Sequence, residues 1–366
     1  MRMEEIARLA GVSIATVSRV MHGSLLVSDE TAARVRRVME EAQYFPNNTA
    51  TSLKSGISRI YGVIIPDITN PFFPEFIKAF ESIAIEKNQE VLLANSDFHP
   101  DGMDLSIRRL LTRQVQGVAL LVSSVEARIC DALMKNDVPM VTFDRRVACA
   151  GASDVAIDPL PGMKQAVAHL KGLGHSRIGW IGGIPGEPIS VHRFEAFAAA
   201  MRSHNLSVHP ELLRTGDYRI LGGETAMAEL LSLRTPPTAV IAANDLTAIG
   251  ATRAMGERGY VPGRDCSVVG FDDIELSGII VPALTTMALS RRELARSFYE
   301  ALESLKRRAE TPGRQYTVET RLVVRQSTGR ARRLRSKRRQ GEAARALLLA
   351  KIAEKTAKRA SLDNGS

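Results

Sequence analysis

Residues 6–20 read Ile6-Ala7-Arg8-Leu9-Ala10-Gly11-Val12-Ser13-Ile14-Ala15-Thr16-Val17-Ser18-Arg19-Val20. Ile6, Ala7, Leu9 and Ala10 make the apolar face of a first short helix, and Gly11 supplies the left-handed residue that stops it. Ser13 then caps a second helix, in which Val17, Val20 and Met21 fall at i, i+3 and i+4. That spacing turns one side inward and leaves Ala15, Ser18, Arg19 and His22 facing out, with Gly23 ending the helix. Ser28, followed by Asp29 and Glu30 in a first turn, opens a third helix with Val35, Val38, Met39 and Ala42 as its stripe. Helix, glycine turn and capped helix with a polar outer face predict a helix-turn-helix. From pattern alone, a three-helix protein-interaction module is the lesser alternative.

Working outward, Pro46-Asn47-Asn48-Thr49 marks a boundary, and a polar, helix-compatible segment runs past Leu53 to a Ser55-Gly56 linker. From Ile60 onward the pattern changes to short apolar strands alternating with amphipathic helices. Strands are expected at 60–65, 91–94, 117–122 and 140–143, and after Asp158 the pattern restarts with strands at 178–181, 239–242 and 267–271. This is the grammar of parallel βαβ units, so the expected fold is α/β, with a three-helix headpiece followed by two doubly wound lobes of similar size. The expected organisation is a three-helix headpiece over 1–45, a linking segment over 46–57, a two-lobed domain over 58–329, and a tail over 330–366.

The formal net charge of +9 does not by itself point to nucleic acid. From Arg330 onward the chain has twelve basic and three acidic residues, which equals the whole excess. That tail reads as disorder with a transient helix. Residues 1–10 have no signal-peptide run, and no stretch approaches a membrane span, so a cytoplasmic protein without membrane attachment is expected. Cys130, Cys149 and Cys266 have no histidines at metal-ligand spacing; they read as buried small residues, and neither metal nor cofactor is expected. Gly179, Gly182, Gly183 and Gly186 attend a strand, but they do not spell G-x-G-x-x-G. No Walker-A string or nucleophile–base grouping stands in recognisable context, so the reading is not an enzyme. A solute-binding protein for uptake would require export, which the N-terminus does not suggest.

Several strings together resemble the signature of the LacI/GalR transcriptional regulators: Ala10-Gly11-Val12-Ser13, Thr16-Val17-Ser18-Arg19-Val20 and Tyr44-Phe45-Pro46-Asn47. The similarity continues through Gly62-Val63-Ile64-Ile65-Pro66, Asn70-Pro71-Phe72-Phe73, Ala243-Asn244-Asp245 and Val269-Gly270-Phe271-Asp272-Asp273, ending near Thr328 and leaving out the tail. The resemblance implies a headpiece on a two-lobed domain like that of periplasmic binding proteins, working as a homodimer on a palindromic operator. It implies that Ile14, Ala15 and Arg19 read bases, with Ser13, Thr16, Ser18 and Asn47 among the DNA-contacting positions, and that Leu53 wedges into the minor groove. His22, also among the DNA-contacting positions, stands where the family usually has Asn. The resemblance makes 1–45 the DNA-binding domain, 46–57 a hinge helix and linker, and 58–329 the effector-binding and dimerisation domain.

The resemblance also places a sugar effector between the lobes. Asn70, Phe72, Phe73, Asp144, Arg145, Arg193, Tyr218, Asn244 and Asp272 match the positions that contact it. Aromatic faces beside planar Asp, Asn and Arg groups suit the C–H faces and hydroxyl pairs of a sugar. Leu289, directly after Thr285-Thr286-Met287-Ala288, stands where the family commonly has Gln and removes one hydroxyl partner. The expectation is a small neutral monosaccharide or polyol, a pentose above all, with a purine or sugar phosphate as the alternative within the family.

Overall fold

The computed structural model describes residues 2–21, 26–44, 58–97, 100–122, 126–305 and 311–332. They form two units, Met1–Ser58 and Arg59–Ser366. His22, Asn47, Leu53, the proposed hinge over 46–57 and the tail beyond 332 lie outside the described residues.

The first unit contains α1 (Met3–Ala10), α2 (Ile14–Met21) and α3 (Asp29–Glu41). Glu4 and Glu5 occupy the first turn of α1 and Arg8 the last, each complementing the helix dipole. Gly11 ends α1 at φ +64°, a conformation that costs a residue without Cβ little. The Ser13 hydroxyl accepts the Thr16 N–H at 3.1 Å and starts α2, while Ser28 accepts from Thr31 at 3.4 Å and starts α3. Ile6, Ala7, Ala10, Val17, Val20, Ala32 and Val35 close one core, with Met21, Val38, Met39 and Ala42 packed on its margin. Leu9 departs from the expected stripe and is 55% exposed. At about 100° per residue it falls well to one side of the arc that Ile6, Ala7 and Ala10 share.

The second unit begins with β1 (Ile60–Ile65), α4 (Phe72–Glu86), β2 (Glu90–Asn95), α5 (Pro100–Thr112), β3 (Gly117–Leu120), α6 (Ala127–Lys135), β4 (Met140–Phe143) and β5 (Ala152–Asp158). These strands run parallel in the order β2-β1-β3-β4-β5. The strand runs are apolar on both faces because both faces are covered. Ile64, Val118, Leu120 and Met140 pack on α5 and α6, whereas Tyr61, Val63, Ala119 and Val141 face Phe76 and Phe80 of α4.

The second lobe follows with α7 (Leu160–Gly172), β6 (Ile178–Ile181), α8 (Pro188–Ser203), a 3₁₀ turn at Pro210–Leu212, β7 (Leu213–Arg214), α9 (Ile220–Ser232), β8 (Ala239–Ala242), α10 (Asp245–Glu257), β9 (Ser267–Asp272), α11 (Glu275–Ile279) and β10 (Thr285–Leu289). One face of β8 meets Phe197 and Met201 of α8, and the other meets Met227 and Leu230 of α9 and Met255 of α10. The chain then returns: α12 (Arg291–Leu305) packs in the first lobe, with Phe298 5.3 Å from Phe76. Finally β11 (Gln315–Val323) runs parallel to β5 over Gln315–Glu319 and antiparallel to β10 over Thr320–Val323. The two lobes therefore share a strand, and one pair in the otherwise parallel sheet is antiparallel.

The cysteines are not all buried as expected. Cys266 is buried, Cys130 is half-buried and Cys149 is exposed. Cys149 sits on the turn before β5, where its N–H donates to Ala152 O at 3.0 Å.

His175 holds the segment after β11 to the second lobe. Its Nδ1 lies 2.9 Å from Thr238 Oγ1, and its Nε2 lies 2.9 Å from both Ser267 Oγ and Gly329 O. Burial pushes its pKa below the ordinary histidine value. The unfolded chain therefore takes up this proton first, so the stabilisation is complete above the unfolded pKa of about 6.5 and is lost as pH falls below it. The stability gap between the parent and His175→Gln, read from urea midpoints, should narrow on acidification from pH 7.5 to 5.5. A constant gap would remove His175 as the titrating group.

Candidate functional site

In the first unit, α2 presents Ala15 and Arg19 to solvent, with Ile14 47% exposed at its start. Ser13 and Thr16 are partly committed to each other, with hydroxyl oxygens 2.9 Å apart, so their first task is to cap the helix. Thr16 and Ser18 are half-buried on the flank. The N-terminal turn of α2 and the Arg19 guanidinium together offer donors to phosphates and base edges.

In the second unit, polar groups gather at the carboxyl ends of strands. Asn70 directs its Oδ1 to the Phe72 N–H at 3.1 Å, which starts α4 and leaves Phe72 buried with Phe73 edge-on at 5.2 Å. Asp144 follows β4 at φ +53° and accepts Ile157 N–H at 3.2 Å. From the second lobe, Arg193 of α8 is only 5% exposed. Its Nη2 donates to Asp272 Oδ1 at 3.2 Å, its Nη1 donates to Ala243 O, and its Cζ lies 3.9 Å from the Phe271 ring centre. Burial raises the pKa of Asp272, and the charges of Arg193 and Arg291 offset part of that rise.

Tyr218, at φ +63°, bonds Ser190 through its hydroxyl at 2.8 Å. Its ring lies where a Cβ on Gly183 would come within 2.1 Å, so that glycine makes room for it. Asn244 has both amide ends engaged: Oδ1 caps α10 through Thr247 N–H, and Nδ2 donates to Tyr218 O, each at 2.9 Å. It thus holds the Tyr218 loop.

Arg145 is the expected site residue that the structure turns elsewhere, its Nη1 reaching Cys130 Sγ at 3.5 Å. Arg146 takes its place, with Nε 3.5 Å from Asp144 Oδ1 and Nη2 donating to Ile157 O at 3.1 Å. The cause is backbone: Asp144 and Arg146 both adopt positive φ, which re-aims successive side chains, while Asp154 accepts the N–H groups of Arg145 and Arg146 at 3.1 and 2.9 Å.

Further polar residues arrive that the sequence reading did not single out. His192 Nδ1 lies 3.4 Å from Asp144 Oδ2, Arg219 Nη2 3.1 Å from Asp67 Oδ2, and Glu275 N–H 2.9 Å from Glu75 Oε1, each bridging one lobe to the other. Burial opposes ionisation of Asp67, but hydrogen bonds from Thr69 and the Arg219 charge outweigh it and hold the carboxyl below its usual pKa. Arg291 begins the return helix α12, stacks over Phe72 at 4.2 Å and donates to Asp272 O at 2.9 Å. Leu289 is buried in the main apolar cluster. Among the described residues no group of His, Cys, Asp and Glu could hold a metal ion, and no helix is long and apolar enough to cross a membrane.

Comparison with known proteins bears on both units. Residues 2–47 match the model of bacterial regulatory proteins of the lacI family, and residues 167–328 match a periplasmic binding protein-like domain. The chain is 34% identical over 294 residues to the HTH-type transcriptional repressor CytR of Escherichia coli K12, covering 80% of this chain and 86% of that protein. The chain belongs to the lacI family of bacterial regulators. Among solved structures, this lacI-family chain is similar to the lac repressor dimer bound to operator and the anti-inducer ONPF, with TM-score 0.75, 27% identity, and coverage of 90% of this chain and 99% of that one. It is also similar to a LacI family transcriptional regulator from Enterococcus faecium with bound ribose, with TM-score 0.67, 29% identity, and coverage of 75% of this chain and 100% of that one.

Proposed function

We propose that this lacI-family regulator binds a palindromic operator as a homodimer, and that a small monosaccharide or polyol bound between the lobes of its second unit controls that binding. The observation that carries the DNA reading is the outer face of α2, where Ile14, Ala15 and Arg19 stand exposed on a helix capped by Ser13. Leu53, by resemblance, is the minor-groove wedge, and residues 46–57 the hinge that links effector occupancy to DNA affinity. The effector reading is supported by the gathering of Phe72, Asp144, Arg193, Tyr218 and Asp272, and by the ribose held by the related Enterococcus faecium structure. Lobe closure on the ligand would bias the hinge, which requires the ligand to bind one lobe arrangement better than the other.

Fluorescence anisotropy on the gene's own upstream DNA, at fixed salt, tests the DNA role. Arg19→Ala should lose about 1–3 kcal/mol of discrimination against the wrong base pair while keeping salt-dependent, non-specific binding. Unchanged specific binding would sink the assignment of Arg19. For the effector, binding of a purine or sugar phosphate in place of sugars or polyols would move the chain to the alternative ligand class and leave its DNA role untouched.

A further inference from the structure

The charges between the lobes are arranged differently from the set read in the sequence. Asp67 pairs with Arg219, Glu75 with Arg291, Asp144 with Arg146 and His192, and Asp272 with Arg193. Each acidic oxygen named in these pairs already has a cationic or N–H partner. The donors are less fully used. Arg193 Nε and Arg291 Nη2 are buried and have no acceptor among the described residues, and Arg291 Nε, although 3.3 Å from Glu75 Oε2, lacks the alignment of a hydrogen bond.

These donors belong to one corner of the site. Arg193 Nη2 and Arg291 Nη1 converge on the same residue, the first on Asp272 Oδ1 and the second on Asp272 O. Phe72 forms a wall of the corner, with the Arg291 Cζ 4.2 Å from its ring centre, and Phe271 lies 3.9 Å from the Arg193 Cζ. The Arg193 and Arg291 side chains are only 6% and 13% exposed, so water screens them little.

Buried guanidinium N–H groups without acceptors are costly, and a ligand gains by supplying acceptors there. A hydroxyl supplies an oxygen but brings a proton that needs an acceptor of its own. A carboxylate supplies two acceptor oxygens, no proton and the opposite charge. Glu75 and Asp272 already offset the charges of Arg291 and Arg193, so a phosphate, with up to twice the charge of a carboxylate, meets more repulsion here than a carboxylate does. At the other end, Asp144 and His192 suit hydroxyls. Leu289, packed in the apolar cluster, offers no neutral amide in competition.

We infer that Arg291 acts with Arg193 to select a carboxylate-bearing monosaccharide, an aldonate or a uronate, over its neutral counterpart. This rests on the interlobe region being the effector site, and it revises the neutral sugar expected from the sequence.

Isothermal titration of the full chain tests it, with D-gluconate, D-ribonate, D-glucuronate and D-galacturonate set beside D-glucose, D-ribose and D-galactose. At least one acid should bind about tenfold or more tighter than its neutral counterpart, and Arg291→Gln should weaken that acid about thirtyfold while moving the neutral sugar less than about threefold. Arg291→Lys, which keeps the charge but not the planar fork, should fall between. Neutral sugars binding as tightly as the acids, or acid binding indifferent to both variants, overturns the selection by Arg291 and leaves the proposed sugar effector standing. A purine or sugar phosphate binding where none of these seven compounds does overturns both.

Discussion

Asp245→Ala should destabilise the second unit by about 3 kcal/mol or more, lowering its melting temperature by roughly 6–12 °C. Asp245 is wholly buried at the start of α10 and accepts from Thr286 Oγ1 at 2.5 Å, Ser277 Oγ at 2.7 Å and Ile274 N–H at 2.9 Å. Removing the carboxylate leaves three donors without that acceptor in a site that water does not reach. The same burial, aided by the nearby Asp272, pushes the Asp245 carboxyl up to about 7. A folded pKa above the unfolded value of about 4 means that the favourable contribution is full below pH 4 and is lost as pH rises through 7. Stability measured against Asp245→Asn should therefore show a gap that shifts against the parent across that window. A gap flat from pH 4 to 7.5 would place the titration elsewhere.

Gly250→Val should be more damaging still. A Cβ at Gly250 of α10 would stand 1.9 Å from Ile220 O and 2.9 Å from Glu224 N, and one at Gly223 of α9 would stand 2.1 Å from Thr247 O. The atoms in the way are backbone of the facing helix, which has no rotamer to move to. The helices must separate or the pair must come apart, so the cost exceeds the usual overpacking range of about 1–3 kcal/mol. We expect little folded protein at 37 °C, monitored by circular dichroism and soluble yield. Gly256→Ala in the same helix meets nothing within 4 Å and should gain up to about 1 kcal/mol from helix propensity. If both variants melt like the parent, the close approach of α9 and α10 is not a constraint.

The strands that could be read in advance were those whose chemistry repeats their burial. β1, β4, β6 and β8 are short, mostly aliphatic and aromatic runs broken only by Gly62, Thr142 and Gly179, covered on both faces, with the bounds expected from the pattern. β5 was hidden because Ser153 and Asp154 interrupt the apolar pattern, yet both are buried, Asp154 by accepting from Thr142 Oγ1 at 2.6 Å and from two backbone N–H groups. β11 was hidden because its polar alternation, Thr317, Glu319 and Arg321, resembles a loop and its partners lie far off in sequence. Within the site, Phe72, Asp144 and Asp272 are legible as aromatic or acidic residues just after or at the end of strands, whereas Arg193, inside α8, is legible only through the family resemblance. The choice of Arg146 over Arg145 rests on two left-handed backbone positions, and Arg291 enters only because the chain crosses back between lobes.

That crossing back also governs the order in which the protein can be made. The first lobe borrows α12 and the front half of β11, and the second lobe ends its sheet on the back half, through the pairs Val318 to Ile157 and Thr320 to Leu289. During synthesis from the N-terminus, residues 60–158 emerge with five strands and three helices but without the helix that covers Phe76 and Phe80. At about 5–20 residues per second, that aromatic face waits on the order of ten seconds or more for α12. Neither lobe reaches its final form until Val323 has left the ribosome, so the two mature together, and a chain stopped between them exposes a sticky half-molecule for chaperones to hold.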